Sequence, residues 1–253
     1  AAQRYREAAR KAGAELRAVD RNPLDAAWAD QPPEPIAPIW PQATSHAGLS
    51  APEKGALIAK KLKEKGQDAA VISAPDSLAW LLNIRGGDVP RTPFALGYAV
   101  IDKEGKVDLF IDPRKLTAEA RAHLGNEVAV QPKAGFLPAL DALGKSGPTV
   151  VVDAMTAGVA IYDRLKAAGA KPAVGEDPCA LPKACKNQVE LSGIRAAHLR
   201  DGVAVTRFLA WLAEETPKGT VDELSASDQL YAFRLRGEKI RDLSFPTISG
   251  AGP

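Results

Sequence analysis

No apolar run in the 253 residues approaches the ~18–20 positions that a membrane-spanning helix requires, so no membrane span is implied. Cysteine is scarce: Cys179 and Cys185 are the two present. That excludes a disulfide scaffold and points to a reducing compartment, hence the cytoplasm. Five residues separate them, whereas a zinc knuckle leaves about two to four and adds a second pair. Histidine is nearly as rare. His46, His123 and His198 each lack a second His or Cys three or four residues on, so no single element offers a two-point metal grip of those ligand types. An excess of one charge is also missing. The formal net charge of +2 calls for neither nucleic acid nor anionic lipid as a partner. The densest basic run, Lys60-Lys61-Leu62-Lys63-Glu64-Lys65, falls on an amphipathic helical pattern and reads as a solvated face.

Nucleophile signals are absent too. There is no Gly-x-Ser-x-Gly elbow, and Ser249-Gly250-Ala251-Gly252 lacks the Gly-Lys-Ser/Thr ending of a phosphate loop. Asp222, Glu223 and Asp228 share one helical stretch, where capping and solvation account for them. The amino terminus has no apolar signal core, and Glu7 and Glu15 argue against a transit peptide. The one methionine is Met155, and Ser249-Gly250-Ala251-Gly252-Pro253 reads as a turn entering something further, so both ends are expected to be cut.

What is present is an α/β pattern. Residues 1–19 read as a helix end closing at Gly13. Pro23, Pro32, Pro33, Pro35, Pro38 and Pro41 make residues 21–47 a semi-rigid linker, with Trp28 and Trp40 expected to pin it to a domain surface. Ser50-Ala51-Pro52-Glu53 is a helix start, followed by Leu57, Ile58, Lys61 and Leu62 on one stripe. Ala69–Ser73 predicts a strand, Ser73-Ala74-Pro75-Asp76 a second cap, and Leu78–Leu82 a short buried helix. Phe94–Ile101 and Val107–Ile111 flank a short polar connection and predict a hairpin. Helices are expected at 113–124, 135–144 and 156–169, and strands at 128–130, 149–153 and 171–174. Strands alternating with helices around one hairpin give a mixed sheet flanked by helices. A boundary at 175–186 precedes a long helix, 187–215, with Leu191, Ile194, Val205, Phe208, Leu209 and Leu212 on one face. Thr220-Val221-Asp222-Glu223 opens a further helix to about 236, and Leu243–Ile248 reads as a strand.

One stretch carries more than the usual share of special residues. Asn83-Ile84-Arg85-Gly86-Gly87-Asp88-Val89-Pro90-Arg91-Thr92-Pro93 sets two Arg, an Asp, two Gly and two Pro between a buried helix and a strand. Such a loop either faces a partner surface or pocket, or is held by its own Arg–Asp pair.

Trp80-Leu81-Leu82-Asn83-Ile84-Arg85-Gly86-Gly87-Asp88-Val89, followed by Phe94-Ala95-Leu96-Gly97-Tyr98-Ala99-Val100-Ile101, resembles the second domain of the long, three-domain Xaa-Pro aminopeptidases of the creatinase/prolidase superfamily. Lys186–His198 resembles the first helix of their catalytic domain, and Asp242–Pro253 the strand leading toward the active site. The resemblance implies residues 1–47 as the end of the first domain and the linker, 48–175 as a creatinase/prolidase amino-terminal-type domain, and 176–253 as the start of a pita-bread metallopeptidase domain. It implies a parent enzyme, a cytoplasmic homodimer, that removes the amino-terminal residue from peptides with proline second. Two divalent metals, commonly manganese, would be held there by two Asp, one His and two Glu. All these ligands would lie beyond Pro253, so the resemblance assigns no catalytic, cofactor-binding or metal residue to this chain, which is expected to be inactive alone. The apolar faces of the last helices would then lack their cover. The alternatives are a non-catalytic binding or assembly module of the same fold, and a prolidase or creatinase-like hydrolase.

Overall fold

The computed structural model describes residues 2–19 and 22–251. In chain order it holds α1 (Ala2–Lys11), α2 (Pro23–Ala27), β1 (Ile39–Pro41), α3 (Thr44–Ala47), α4 (Ala51–Glu64), β2 (Ala69–Ile72), α5 (Pro75–Leu81) and β3 (Ile84–Gly86). Next come β4 (Tyr98–Asp102), β5 (Val107–Phe110), α6 (Ala118–Leu124), β6 (Val128–Gln131), α7 (Phe136–Gly144), β7 (Thr149–Val152), α8 (Val159–Ala167) and β8 (Lys171–Val174). The last elements are α9 (Ala180–Ala184), α10 (Gln188–Glu215) and α11 (Glu223–Leu235). Two compact units emerge. The first comprises residues 1–42, 49–89 and 93–185, and the second 43–48, 90–92 and 186–253.

The first unit is built on a six-stranded sheet in the order β6-β5-β4-β2-β7-β8. β4 runs antiparallel to β2 and to β5, while β2–β7, β7–β8 and β5–β6 are parallel pairs. The mixed sheet follows from the tight β4–β5 hairpin, since parallel pairs need a crossover and antiparallel ones do not. Both faces are covered, which is why β2 and β7 read as unbroken apolar runs. Ala70, Ile72, Ile101, Leu109 and Val151 point into one core with Ile58, Leu62, Leu78 and Leu81. Val71, Val100, Phe110, Val150 and Val152 point into the other with Phe136, Leu140, Ile161 and Leu165. On α4, Ser50 and Glu53 form the expected capping box.

Several expectations need correcting. The proline-rich stretch, read as a semi-rigid linker, also holds a strand that was not expected: β1 pairs with β3 in antiparallel register, Ile39 opposite Gly86 and Pro41 opposite Ile84. Proline is tolerated there because a two-stranded ribbon is all edge. Its anchor is Ile39, fully buried, whereas Trp28 and Trp40 are 51% and 42% exposed. Strand alternation sends Ile39 inward and therefore Trp40 outward. Part of the same stretch, Arg21, lies outside the described residues, as do Ala1 and Pro253 of the chain ends. Leu57 faces solvent, and Lys54 takes the inward place. Ser73 does not cap α5, whose N-cap is Ala74; the Ser73 hydroxyl meets that of Thr156 at 3.1 Å. The strand expected from Phe94 begins at Tyr98, because Phe94 and Leu96 spend backbone groups on Asp88. The helix expected to open at Thr220 is capped instead by Asp222, which forms a capping box with Ser225. Residues 243–248 are not a strand: no described strand lies alongside to complete a ladder.

In the second unit α10 and α11 pack together, with Ala204 and Ala226 buried and the Arg234 guanidinium on both carboxylate oxygens of Asp201 at 2.7 and 3.2 Å. α3 packs on the start of α10. Asn187 caps α10 through Val189 and Glu190 N–H, both at 3.0 Å, and its amide donates back to the Ala47 carbonyl at 2.8 Å. Gly48 is required there: its φ is +74°, and a Cβ would fall 2.3 Å from Asn187 Oδ1. The apolar stripe read on α10 is only partly covered: Ile194 and Leu209 are exposed and Leu191, Val205, Phe208 and Leu212 half-buried, while Leu199 and Val203, outside the stripe, are exposed as well. On α11 and beyond, Leu224, Leu235, Phe245 and Ile248 are exposed as well.

Candidate functional site

The loop from Asn83 to Pro93 is held at its base by a buried charge pair. Lys115 Nζ lies 2.6 Å from Asp88 Oδ2, with side-chain exposures of 4% and 0%. The same Asp88 oxygen accepts the Leu96 N–H at 2.7 Å, and Oδ1 accepts that of Ala37 at 3.1 Å. Lys115 also donates to the Leu96 carbonyl at 3.2 Å. Three separate chain segments thus converge on one carboxylate, and its remaining lone pairs find donors, as a buried charge requires. The expectation of an internal Arg–Asp pair is corrected: the partner of Asp88 is Lys115. Arg85 Nη1 instead donates to the carbonyls of Ala79 and Ile84, at 3.1 and 2.9 Å. At the loop tip Arg91 adopts φ +59° between Pro90 and Pro93 and is exposed.

A second buried cation meets the first residue of the loop, Asn83. Lys54, 2% exposed, donates to Asn83 Oδ1 at 2.7 Å and to the Trp80 carbonyl at 3.0 Å, with its ammonium 4.6 Å from the Trp80 ring centre. Asn83 adopts φ +49°, a region that Asn enters more readily than most residues. Its own carbonyl accepts from Gln42 N–H at 2.7 Å, and Nδ2 donates to the Leu49 carbonyl at 2.8 Å.

The sequence singled out the loop but missed both lysines. Lys54 was readable as the first member of the inward series Lys54, Ile58, Leu62, spaced by four. Lys115 carried no such mark, because its partner lies 27 positions away.

The remaining candidates stay apart. His46 lies on α3. The His123 ring meets the Leu82 carbonyl at 2.9 Å, and the His198 ring meets the Ile194 carbonyl at 2.9 Å. Cys185 is exposed, while burial and the Asp177 charge push the Cys179 thiol well above its ordinary range. Asp222 is the α11 N-cap, its carboxyl lowered by hydrogen bonds from Ser225, and Glu223 accepts the Ala251 N–H at 2.9 Å. Ser249, Gly250 and Ala251 form no regular element, and Gly252 lies outside the described residues. Among the described residues no three His, Cys, Asp or Glu side chains are placed to hold a metal ion. No described helix is long and apolar enough to cross a membrane. A cavity of about 740 Å³ in the first unit is lined by Arg6, Met155, Tyr162, Asp163, Lys166 and Val174 among others, with Arg6 paired to Asp163 at 2.9 Å.

Comparison with known proteins decides the family. The profile of the Creatinase/Prolidase N-terminal domain matches residues 30–190. The chain belongs to that family. As a creatinase/prolidase N-terminal domain protein it is 37% identical to a probable Xaa-Pro aminopeptidase P from Phaeosphaeria nodorum, over all of this chain and 40% of that protein. An X-prolyl aminopeptidase from Caenorhabditis elegans, described as a cytosolic enzyme with a di-nuclear active site, superposes with a TM-score of 0.92 at 30% identity. That match covers 98% of this chain and 41% of the other. An Xaa-Pro dipeptidase from Bacillus anthracis shares the fold, with a TM-score of 0.55 at 17% identity over 74% of this chain and 49% of that one. The chain therefore spans about two fifths of the length of these aminopeptidase relatives. The mixed sheet flanked by helices is the fold expected from the sequence, and the resemblance to Xaa-Pro aminopeptidases extends over the whole chain.

Proposed function

We propose that this chain is the non-catalytic portion of a metal-dependent Xaa-Pro aminopeptidase, in which residues 48–175 form the amino-terminal-type domain and 176–253 begin the pita-bread domain. The preceding residues, 1–47, are the end of a first domain and its linker. The complete polypeptide would remove the amino-terminal residue from peptides with proline second, working as a cytoplasmic homodimer with two divalent ions, manganese by preference. The observation that supports this reading is likeness along the whole chain, in order, to an X-prolyl aminopeptidase with a di-nuclear site.

The described residues of this chain do not fit such a metal pair. Two cations held by carboxylates and a histidine need several ligands converging on one point. Here the three histidines lie on separate elements, and among the described residues no three His, Cys, Asp or Glu side chains are placed to hold a metal ion. No reaction step is therefore derived through these residues. In this reading the ligands are supplied by polypeptide outside the present chain, and the chain's part is to scaffold and shape access. The exposed apolar side chains on α10 and α11, among them Leu199, Leu209, Leu224 and Leu235, support it, since apolar surface of this kind is what a further part of the polypeptide would cover.

The test is hydrolysis by the complete polypeptide of matched peptides with proline or alanine at the second position. The reading requires cleavage of the proline peptide alone, its loss on chelation, and its return with manganese. Equal cleavage of both peptides, or activity indifferent to chelation, would discard it.

A further inference from the structure

Residues 43–48 leave the first unit after Gln42 and re-enter it at Leu49. Both ends of that excursion meet one residue. Asn83 accepts the Gln42 N–H through its carbonyl at 2.7 Å and donates from Nδ2 to the Leu49 carbonyl at 2.8 Å. The excursion carries α3, which within the second unit receives the cap of α10: Asn187 Nδ2 on the Ala47 carbonyl at 2.8 Å, and Asn187 packed where a Cβ on Gly48 would stand. The two links are in series along the chain, Asn83 to the ends of the segment and the segment to Asn187.

From this we infer that Asn83 is a positioning residue for the start of α10, acting through the 43–48 segment. Three features make it suited to the task. Asn83 is 1% exposed, so its bonds are not exchanged for water. Lys54 Nζ, at 2.7 Å from Oδ1, fixes the side-chain amide with Nδ2 toward Leu49. Its left-handed backbone places its own carbonyl on Gln42, so backbone and side chain grip opposite ends of one segment. A closed segment clamped at both ends has few conformations left, and the groups it presents to Asn187 are ordered in advance. The inference concerns mechanical order and stands whether or not the chain serves peptide hydrolysis.

The test is residue-resolved amide exchange on the full chain, read at Val189, Glu190 and Leu191, whose N–H groups bond to Asn187. Asn83→Gly suits the backbone conformation and removes the side-chain clamp. Exchange at those amides is expected to rise about fivefold, the loss typical of one buried hydrogen bond. Leu140→Ala, which disturbs the other face of the sheet, is expected to leave them unchanged. Asn83→Asp is isosteric, keeps an acceptor for Lys54 and removes the donor to Leu49, so it gives the same signature if the glycine variant does not fold. Combined with Asn187→Ala, the aspartate variant is expected to add nothing further at those amides. Wild-type exchange at the start of α10 in the Asn83 variants, or an equal rise in Leu140→Ala, would overturn the inference.

Discussion

Lys115 Nζ and Asp88 Oδ2 stand 2.6 Å apart with both side chains buried, although 27 positions separate them in the chain. The pair is where the β1 approach, the loop 86–97 and the turn before α6 are tied together. Removing one partner of a buried pair strands the other charge, at a cost of ~3–5 kcal/mol. Lys115→Met is expected to destabilise by that order. Asp88→Ala is expected to cost more, since it also orphans the N–H groups of Ala37 and Leu96. In a double-mutant cycle by urea unfolding, the double variant falls well short of the sum of the two. Additive losses would show that the two groups do not depend on each other.

Acid stability carries a local prediction at Asp112. The Arg114 side chain, and then its backbone N–H, hold the Asp112 carboxyl down to about 2. A carboxyl depressed on folding contributes stability that is fully present above its unfolded value of about 4 and is lost as pH falls through the folded one. The window is therefore about pH 4 to 2. Carboxyl-resolved NMR should place the Asp112 midpoint near the bottom of that window and move it up in Arg114→Gln. An unchanged midpoint in that variant would remove Arg114 as the cause.

The two cysteines should differ in reactivity. The Cys179 thiol is buried and pushed well above its usual range, first by desolvation and then by Asp177, so little thiolate exists to react. Cys185 is exposed. A maleimide reagent at neutral pH is expected to label one thiol in the folded chain, at Cys185, and both in denaturant. Rapid native labelling of Cys179 would mean that α9 opens readily from the first unit.

How much of this was legible follows from the range of each cause. The α4 capping box, the apolar β2 and β7, and the β4–β5 hairpin are set by neighbours in sequence, and all were readable. So was the unusual character of the loop 83–93, from its glycines, prolines and charges. What holds that loop was not, because Lys115 and Lys54 reach it from 27 and 29 positions away; the spacing of Lys54 with Ile58 and Leu62 marks it as inward but does not name its partner, and Lys115 has no mark at all. The β1–β3 pairing was hidden by Pro38 and Pro41, which argue against a strand until an edge position is known. Leu243–Ile248 misled in the opposite direction, since β propensity reports a side-chain preference and supplies no ladder partner.

The most direct check on the central claim is turnover by the purified 253-residue chain itself. It should be incubated with excess manganese and a peptide bearing proline at the second position, with metal binding followed calorimetrically in the same sample. The expected result is no hydrolysis and no saturable two-ion binding. Release of the amino-terminal residue, or tight uptake of two ions, would place a working centre inside these residues and contradict the account.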